Sequence, residues 1–201
     1  MILVRLLLRI ILLALAVVVV VMCLHIDVNI IKNGLSERSF TEIVQELTLL
    51  TIVVIHLARA RHSDAARQLD VLIAGFFMAM LIRELDAVFD LIHHGSWLWF
   101  ALAVSLATIV YAFRRAPRVL QQLADYMTTP AFGIMLSGLL AILIFSRLFG
   151  MSMLWHSILQ DGYVRDVKNM VEEGSELFGY MLCLVASVNL FPAHHKVCGG
   201  K

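Results

Sequence analysis

Carboxylate and imidazole side chains that could bind a cation are concentrated at one end of the apolar segment 69–92. Because an α-helix has about 3.6 residues per turn, the spacing of Asp86, Asp90 and His93 would place all three on one helix face. Glu84 lies about 22 Å along a helix that begins at residue 69, too deep in a membrane for its carboxylate to reach water easily. Charged groups at that depth are usually functional or paired, so this stretch is the first candidate for chemistry.

Other apolar segments bring charged groups to the same end of the predicted bundle. The last segment begins with Glu172, Glu173 and Glu176, and the i, i+3 spacing of the last two puts their carboxylates on one helix face. The second segment contributes Glu46, and the fifth ends with Arg147 at a similar depth. The sequence therefore predicts a layer of ionisable groups shared by several helices.

This acidic layer contains more carboxylates than fixed positive charges. Neighbouring carboxylates repel one another and bind protons unless cations neutralise them, and Arg83 and Arg147 are too few to do so. Carboxylates with histidine suit zinc, iron or manganese, whereas oxygen ligands alone suit calcium. We therefore expect a divalent metal ion at a site composed of Glu46, Glu84, Asp90, His93, Glu173 and Glu176. The remaining charged groups are expected to form an ion-pair network composed of Arg83, Asp86, Glu172 and Arg147.

Two other interpretations of the acidic layer stay open at this point. Its charged groups could form a purely structural network that orients the helices, or they could relay protons. His56 lies in the inner half of the second apolar segment, away from the layer, and is interpreted as a hydrogen-bonded packing residue. The three cysteines show no paired spacing, so neither a disulfide framework nor a thiol active site is predicted.

The composition of the chain indicates the class of protein that must position these groups. Of 201 residues, 61% are apolar and 15% are charged, with a mean hydropathy of +0.88. An ordinary soluble domain is about 45–50% apolar and about 25% charged, so this chain carries too much apolar surface for a soluble core of its size. The net charge of +1 provides no basic surface for nucleic acid, and the apolar content excludes a disordered chain. The composition predicts a membrane protein.

Six apolar stretches approach the roughly 20 residues that a helix needs to cross a bilayer. We therefore predict an all-α fold in which residues 1–201 form a single transmembrane domain, a bundle of six helices. The predicted spans are 4–24, 41–59, 69–92, 97–113, 131–149 and 171–191.

The distribution of Lys and Arg predicts the orientation of this bundle. Basic residues are more frequent in the N-terminal segment, the second and fourth loops and the C-terminal tail than in the opposite loops. Under the positive-inside rule, both termini are expected to be cytoplasmic. The membrane is expected to be the inner (plasma) membrane. Pro117 opens a basic amphipathic piece that is predicted to lie in the membrane interface on this side. Its apolar side chains are Val119, Leu120, Leu123 and Met127.

These features are compatible with three classes of function. The interpretation that we favour is an integral inner-membrane protein that binds a cation, expected to be a divalent metal, for transport or sensing. The alternatives are a membrane-embedded, metal-dependent hydrolase or oxidoreductase, and a non-catalytic membrane subunit or effector whose ion pairs specify helix packing. The expected partners are the lipid bilayer and either further copies of the chain or another membrane protein, with no nucleic acid partner.

Overall fold

The computed structural model describes residues 2–31 and 39–190, and its secondary structure is entirely helical within these ranges. The prediction of an all-α fold is therefore confirmed. The end of the last predicted span at residue 191 and the C-terminal tail lie outside the described residues. The helices are α1 (Ile2–His25), α2 (Phe40–His62), α3 (Arg67–Glu84), α4 (Asp86–Phe89), α5 (Trp97–Phe113), α6 (Ala116–Met127), α7 (Pro130–Leu140), α8 (Ser146–Phe149), α9 (Ser152–Leu159) and α10 (Arg165–Leu190). Helix α1 continues as the π-helical Ile26–Ile31, α7 and α8 are joined by the π-helical Ala141–Phe145, and Gln160–Gly162 is a short 3₁₀-helix.

Three helical stretches within the described residues are long and apolar enough to cross a membrane. They are Leu6–Ile31, Phe40–His62 and Pro130–Phe149. A fourth crossing is available if α5 and α6, which are bent by 97° at their junction, count as one span. These helices are compatible with a membrane protein, with three or four candidate spans where the sequence predicts six.

The described residues divide into two compact units. The first unit comprises residues 2–31, 39–45 and 134–185, and the second comprises 46–133 and 186–190. Helices α2 and α10 each contribute residues to both units.

The first unit is built on the packing of α1 against α10. Small and branched apolar side chains from α1 meet larger ones from α10, which gives a core composed of Ala16, Val20, Cys23, Leu177, Met181 and Val185. Helix α7 also approaches α10 closely, because a Cβ atom on Gly138 would lie 2.7 Å from the carbonyl oxygen of Gly179. Small residues allow such close approach between helices.

Asp27 fixes the start of α2 in the same unit. Its carboxylate accepts hydrogen bonds from the backbone N–H groups of Phe40 and Thr41 at 2.7 and 2.8 Å, and from the Thr41 hydroxyl at 2.6 Å. The first N–H groups of a helix have no partner within the helix, and a negative charge there is favourable. This explains why a carboxylate with no exposed surface is stable at this position.

The second unit is built on α3, which packs along α5 and against α6. At Gly75 the backbones approach so closely that a Cβ atom would collide with the side chain of Thr108. Gln122 holds α6 on the start of α3, because its amide accepts a hydrogen bond from the N–H of Leu69 and donates one to Gln68, both at 2.9 Å. These contacts determine where the α3 N-terminus lies relative to α6.

The predicted third span is longer than the helix that forms. Helix α3 ends at Glu84, and Leu85 leaves the helical conformation with φ −85° and ψ 21°. Beyond α4, Asp90 accepts a hydrogen bond from the N–H of Gly95 at 2.8 Å, and Gly95 has a φ of +79° that suits glycine. An aspartate that bonds to nearby backbone competes with helix formation. The prediction that Asp86, Asp90 and His93 share one helix face is therefore wrong.

Candidate functional site

The predicted metal ligands near the end of α3 lie mostly at the surface. Asp86, Asp90 and His93 are exposed, whereas Glu84 is only partly exposed. Arg83 forms an ion pair with Glu84, in which Nη2 and Oε1 are 2.6 Å apart. Asp86, Asp90 and His93 therefore do not form a buried ligand set with Glu84.

Two hydrogen bonds to the carboxylate of Asp90 stabilise the turn that contains it. The Gly95 N–H and the His94 side chain both hydrogen-bond the Asp90 carboxylate and hold its pKa below the usual value. These groups favour the charged form of the carboxylate. In the structure Asp90 therefore stabilises a surface turn.

The predicted network in the first unit forms around Arg147. Its guanidinium lies 3.3 Å from Glu172 Oε1 and makes a closer ion pair with Glu176. Lys168 pairs with Glu172 from the preceding turn of α10, and Ser146 Oγ lies 3.4 Å from Glu176 Oε1. Arg147 and Lys168 thus supply protein cations to the carboxylates at the start of α10.

The two remaining predicted ligands have different surroundings. In the first unit, Gln45 Nε2 donates hydrogen bonds to the carbonyl oxygen and to Oε2 of Glu173, both at 3.1 Å. In the second unit, Glu46 is partly buried and close enough to Glu84 for the two carboxylates to repel each other. Across residues 2–31 and 39–190, no three His, Cys, Asp or Glu side chains come together as a ligand set for a metal ion.

A different cluster of polar side chains lies in the interior of the second unit. We call it the polar centre, and it consists of His56 and Arg59 from α2, Asp70 from α3 and Ser187 from α10. His56 and Ser187 have no exposed surface, and Asp70 is 2% exposed. Charged groups are this deeply buried almost only when they are paired.

The polar centre is a continuous chain of contacts. His56 Nδ1 lies 2.7 Å from Asp70 Oδ1, and His56 Nε2 lies 3.1 Å from Ser187 Oγ. Asp70 Oδ2 is 3.4 Å from Arg59 Nε, which makes an ion pair between the two side chains. A neutral imidazole with its proton on Nδ1 satisfies both ring nitrogens, because Nδ1 donates to Asp70 and Nε2 accepts from the Ser187 hydroxyl. With that tautomer, Arg59 and Asp70 balance each other's charge.

A cavity of about 270 Å³ adjoins the polar centre. Arg59 and Asp70 line its inner wall, and Gln122, Asp125 and Thr129 line the side toward α6. Ser187 and His56 are not part of the wall, although Leu190, one turn after Ser187, is. The cavity therefore lies beside the charged end of the polar centre.

The guanidinium of Arg59, which lines this cavity, lacks some of its hydrogen-bond acceptors. Within the described part of the chain, neither Nε nor Nη1 of its buried guanidinium has a hydrogen-bond acceptor, and Asp70 Oδ2 has no donor. Nε and Oδ2 face each other in the ion pair, so Nη1 is the donor left without a counterpart. A buried donor without an acceptor costs about 1–3 kcal/mol, and more when it is charged.

Sequence reasoning did not identify the polar centre. The signal available was Asp70, a carboxylate at the start of an apolar segment, together with the His56 and Arg59 pair one helical turn apart on the preceding segment. Ser187 carries no signal of its own, since a lone serine in an apolar helix is common. Comparison of the chain with family models, with curated proteins and with solved structures finds no match.

Proposed function

We propose that the chain is a multi-pass protein of the inner (plasma) membrane that binds a small polar solute in the cavity beside Arg59 and Asp70, for transport or sensing. The observation that carries the proposal is Asp70, a buried carboxylate that lines a cavity while it is shared by His56 and Arg59. Ionisable groups inside membrane helices are expensive, and those that face cavities usually mark solute or ion sites.

The proposed topology has six crossings with both termini in the cytoplasm. The stretches Leu6–Ile31, Phe40–His62 and Pro130–Phe149 meet the length and apolarity that a crossing needs. In our proposal α5, about 25 Å long at 17 residues, is a fourth crossing, and α6 turns away to lie in the interface. Helices α3 and α10 complete the bundle, with their charged side chains in pairs or near their ends. The basic loops then place the cavity mouth on the cytoplasmic side.

The experiment that tests the proposal asks whether the cavity is filled with water in the membrane. Ile73→Cys on α3 lines the cavity, whereas Phe76→Cys on the same helix is 40% exposed on the outer surface of the unit. Both variants are made in a background in which Cys23, Cys183 and Cys198 are replaced by alanine. A charged thiol reagent added to inside-out vesicles should modify Ile73→Cys and leave the lipid-facing Phe76→Cys unmodified.

Two results of the thiol experiment would contradict parts of the proposal. If Ile73→Cys reacts no faster than Phe76→Cys from either side, the cavity is dry and the proposed solute site is wrong. Reaction of Ile73→Cys from the opposite side alone would support the cavity and overturn the proposed orientation.

A second candidate function is ester hydrolysis, which one observation favours. Ser187, His56 and Asp70 have the order of contacts of a serine nucleophile, its general base and the carboxylate that orients the base. Solute binding ranks first because the cavity reaches Asp70 and Arg59 but not Ser187. Covalent modification of Ser187 by a fluorophosphonate probe, absent in Ser187→Ala, would reverse this order.

The divalent cation expected at the acidic layer stays a prediction. Elemental analysis of protein purified without chelator, beside the Glu84→Gln variant, measures it directly. Near-stoichiometric metal that is lost in Glu84→Gln would support cation binding there, independently of the cavity. An equal metal content in both samples would show that Glu84 is not a ligand.

A further inference from the structure

The guanidinium of Arg59 has hydrogen-bonding capacity that the protein does not use. Arg59 is 8% exposed, is permanently charged and carries five N–H donors, yet its Nη1 has no acceptor in the described residues. Its nearby carboxylate, Asp70, gives Oδ1 to His56 and faces Nε with Oδ2. Burial without an acceptor is unfavourable, so the group is poised for an acceptor from outside the chain.

The cavity is the place from which such an acceptor can come. Arg59 lines it directly, and two of the other polar side chains of the wall, Gln122 and Thr129, already have protein partners. Gln122 bonds the start of α3 through both ends of its amide, and the Thr129 hydroxyl donates to the carbonyl oxygen of Tyr126 at 2.7 Å. The guanidinium of Arg59 is therefore a charged donor group in the cavity wall whose Nη1 these contacts leave unused.

We infer that the solute carries an oxyanion, a phosphate or a related group, whose oxygen accepts from Nη1 of Arg59. This inference rests on the proposed function, because it names the chemistry of the solute in the same cavity. A planar guanidinium matches the oxygens of phosphate and carboxylate, and hydrogen bonds between ionised partners are the stronger kind. The inference requires no change in the His56–Asp70 contact.

Charged residues of both signs surround the cavity mouth. A neighbouring open cavity of about 370 Å³ shares Ala65, Gln122 and Asp125 with the first and is also lined by Arg118. Asp64, on the same rim, is already paired with Arg67 at 2.6 Å. Asp125 is exposed to water, which screens its repulsion of an anion, and Asp70 in the cavity wall is already paired with Arg59 and His56.

Two sources of the oxyanion fit this position. A free anion would enter from the cytoplasm, whereas a phospholipid would enter from the interface in which α6 is proposed to lie. Leu120, Leu123 and Met127 of α6 are 57%, 38% and 54% exposed, and such an apolar face would hold the cavity mouth near the phosphate groups of the lipids. Both sources present the same chemistry to Arg59, so the experiment has to distinguish them.

The test measures binding of inorganic phosphate to delipidated protein in neutral detergent, and the phospholipids that copurify with the protein from the membrane. The key variant is Arg59→Gln with Asp70→Asn, which removes both charges of the pair and keeps an acceptor for His56. The matched control is Arg61→Gln, which removes the same charge from an exposed position on the same helix. Elution volume and thermal unfolding show that each variant is folded.

The expected result is phosphate binding that Arg61→Gln retains within about twofold and the double variant loses by about tenfold or more, equivalent to about 1.4 kcal/mol. If the source is a lipid, the native chain instead copurifies with an anionic phospholipid that the double variant lacks. Equal phosphate affinity and equal lipid content in all three proteins would overturn the inference, as would a native chain that binds neither.

A second measurement keeps the inference testable if the double variant does not fold. Phosphate, or vesicles rich in an anionic phospholipid, should slow modification of Ile73→Cys by a charged thiol reagent, whereas chloride or vesicles of a zwitterionic lipid should not. Rapid modification that no oxyanion slows would overturn the inference while leaving a water-filled solute site intact. A thiol that is unreactive in every condition would instead contradict the proposed function itself.

Discussion

Replacing Asp70 by asparagine changes the charge of the polar centre with little change in shape. The amide oxygen can still accept the hydrogen bond from His56, but Arg59 then keeps a buried positive charge without a carboxylate beside it. The Asp70 and Arg59 side chains are 3% and 8% exposed, so water at the cavity can replace the lost partner only in small part. Removing one member of a buried ion pair costs about 3–5 kcal/mol, and we expect Asp70→Asn to lose stability in this range.

The chain offers a matched control for this substitution six residues away. Asp64 and Arg67 form an ion pair at 2.6 Å, but their side chains are 79% and 39% exposed. Exposed pairs contribute about 0–1 kcal/mol, so Asp64→Asn should unfold almost like the native chain. Titration with a denaturing detergent, followed by tryptophan fluorescence, measures the free energy of unfolding of both variants.

The buried ion pair also predicts the stability of a variant that lacks both of its charges. Adding Arg59→Gln to Asp70→Asn removes the unpaired charge, so the double variant should recover part of the stability that the single variant loses. Our reasoning is refuted if Asp70→Asn is no less stable than Asp64→Asn. It is also refuted if the second substitution adds a further loss of the same size.

Two other perturbations test the packing of α3 and the turn that follows α4. Gly75→Ala should destabilise the second unit by about 1–3 kcal/mol because a Cβ atom would collide with Thr108. Gly133→Ala is the control and should cause no loss of stability, because the space around its Cβ position is open. The same detergent titration measures the free energy of unfolding of both variants. The Gly95 N–H lowers the pKa of Asp90, so its contribution to the turn is present above the unfolded pKa of about 3.9 and disappears as the pH falls through the lower folded value. Hydrogen exchange of the turn should therefore accelerate only in acid, and a profile identical to that of Asp90→Asn would contradict this.

The helical class could be predicted from the sequence because it depends on composition and on the length of apolar runs. The predicted fourth span, 97–113, coincides with α5, and the predicted fifth, 131–149, matches the candidate span Pro130–Phe149. The end of α3 could not be predicted in this way. Residues 85–92 remain largely apolar, so hydropathy predicts that the helix continues through them. The hydrogen bond from the Gly95 N–H to Asp90 instead stabilises a turn in this stretch.

The candidate site was harder to predict because its members are far apart in the sequence. His56 and Asp70 are 14 positions apart, and His56 and Ser187 are 131 positions apart. Spacing within one helix carries no information about such pairs, and each residue alone has an ordinary structural interpretation. The sequence grouped Glu172 with Arg147 in an ion-pair network but assigned Glu176 to a metal site, because charge density does not indicate which carboxylate Arg147 contacts.

The two polar regions therefore differ in whether the protein itself satisfies their charged groups. Arg147 and Lys168 pair with the carboxylates of Glu172 and Glu176 in the first unit, so these contacts can hold helices together without a ligand. Arg59 has a comparable charge, but it lies against a cavity and keeps a donor without an acceptor. Because an unsatisfied buried donor is costly, a binding partner gains most where the protein leaves one beside a cavity. This difference, and not the number of charged residues, is why we place the solute site at Arg59 rather than at the acidic layer.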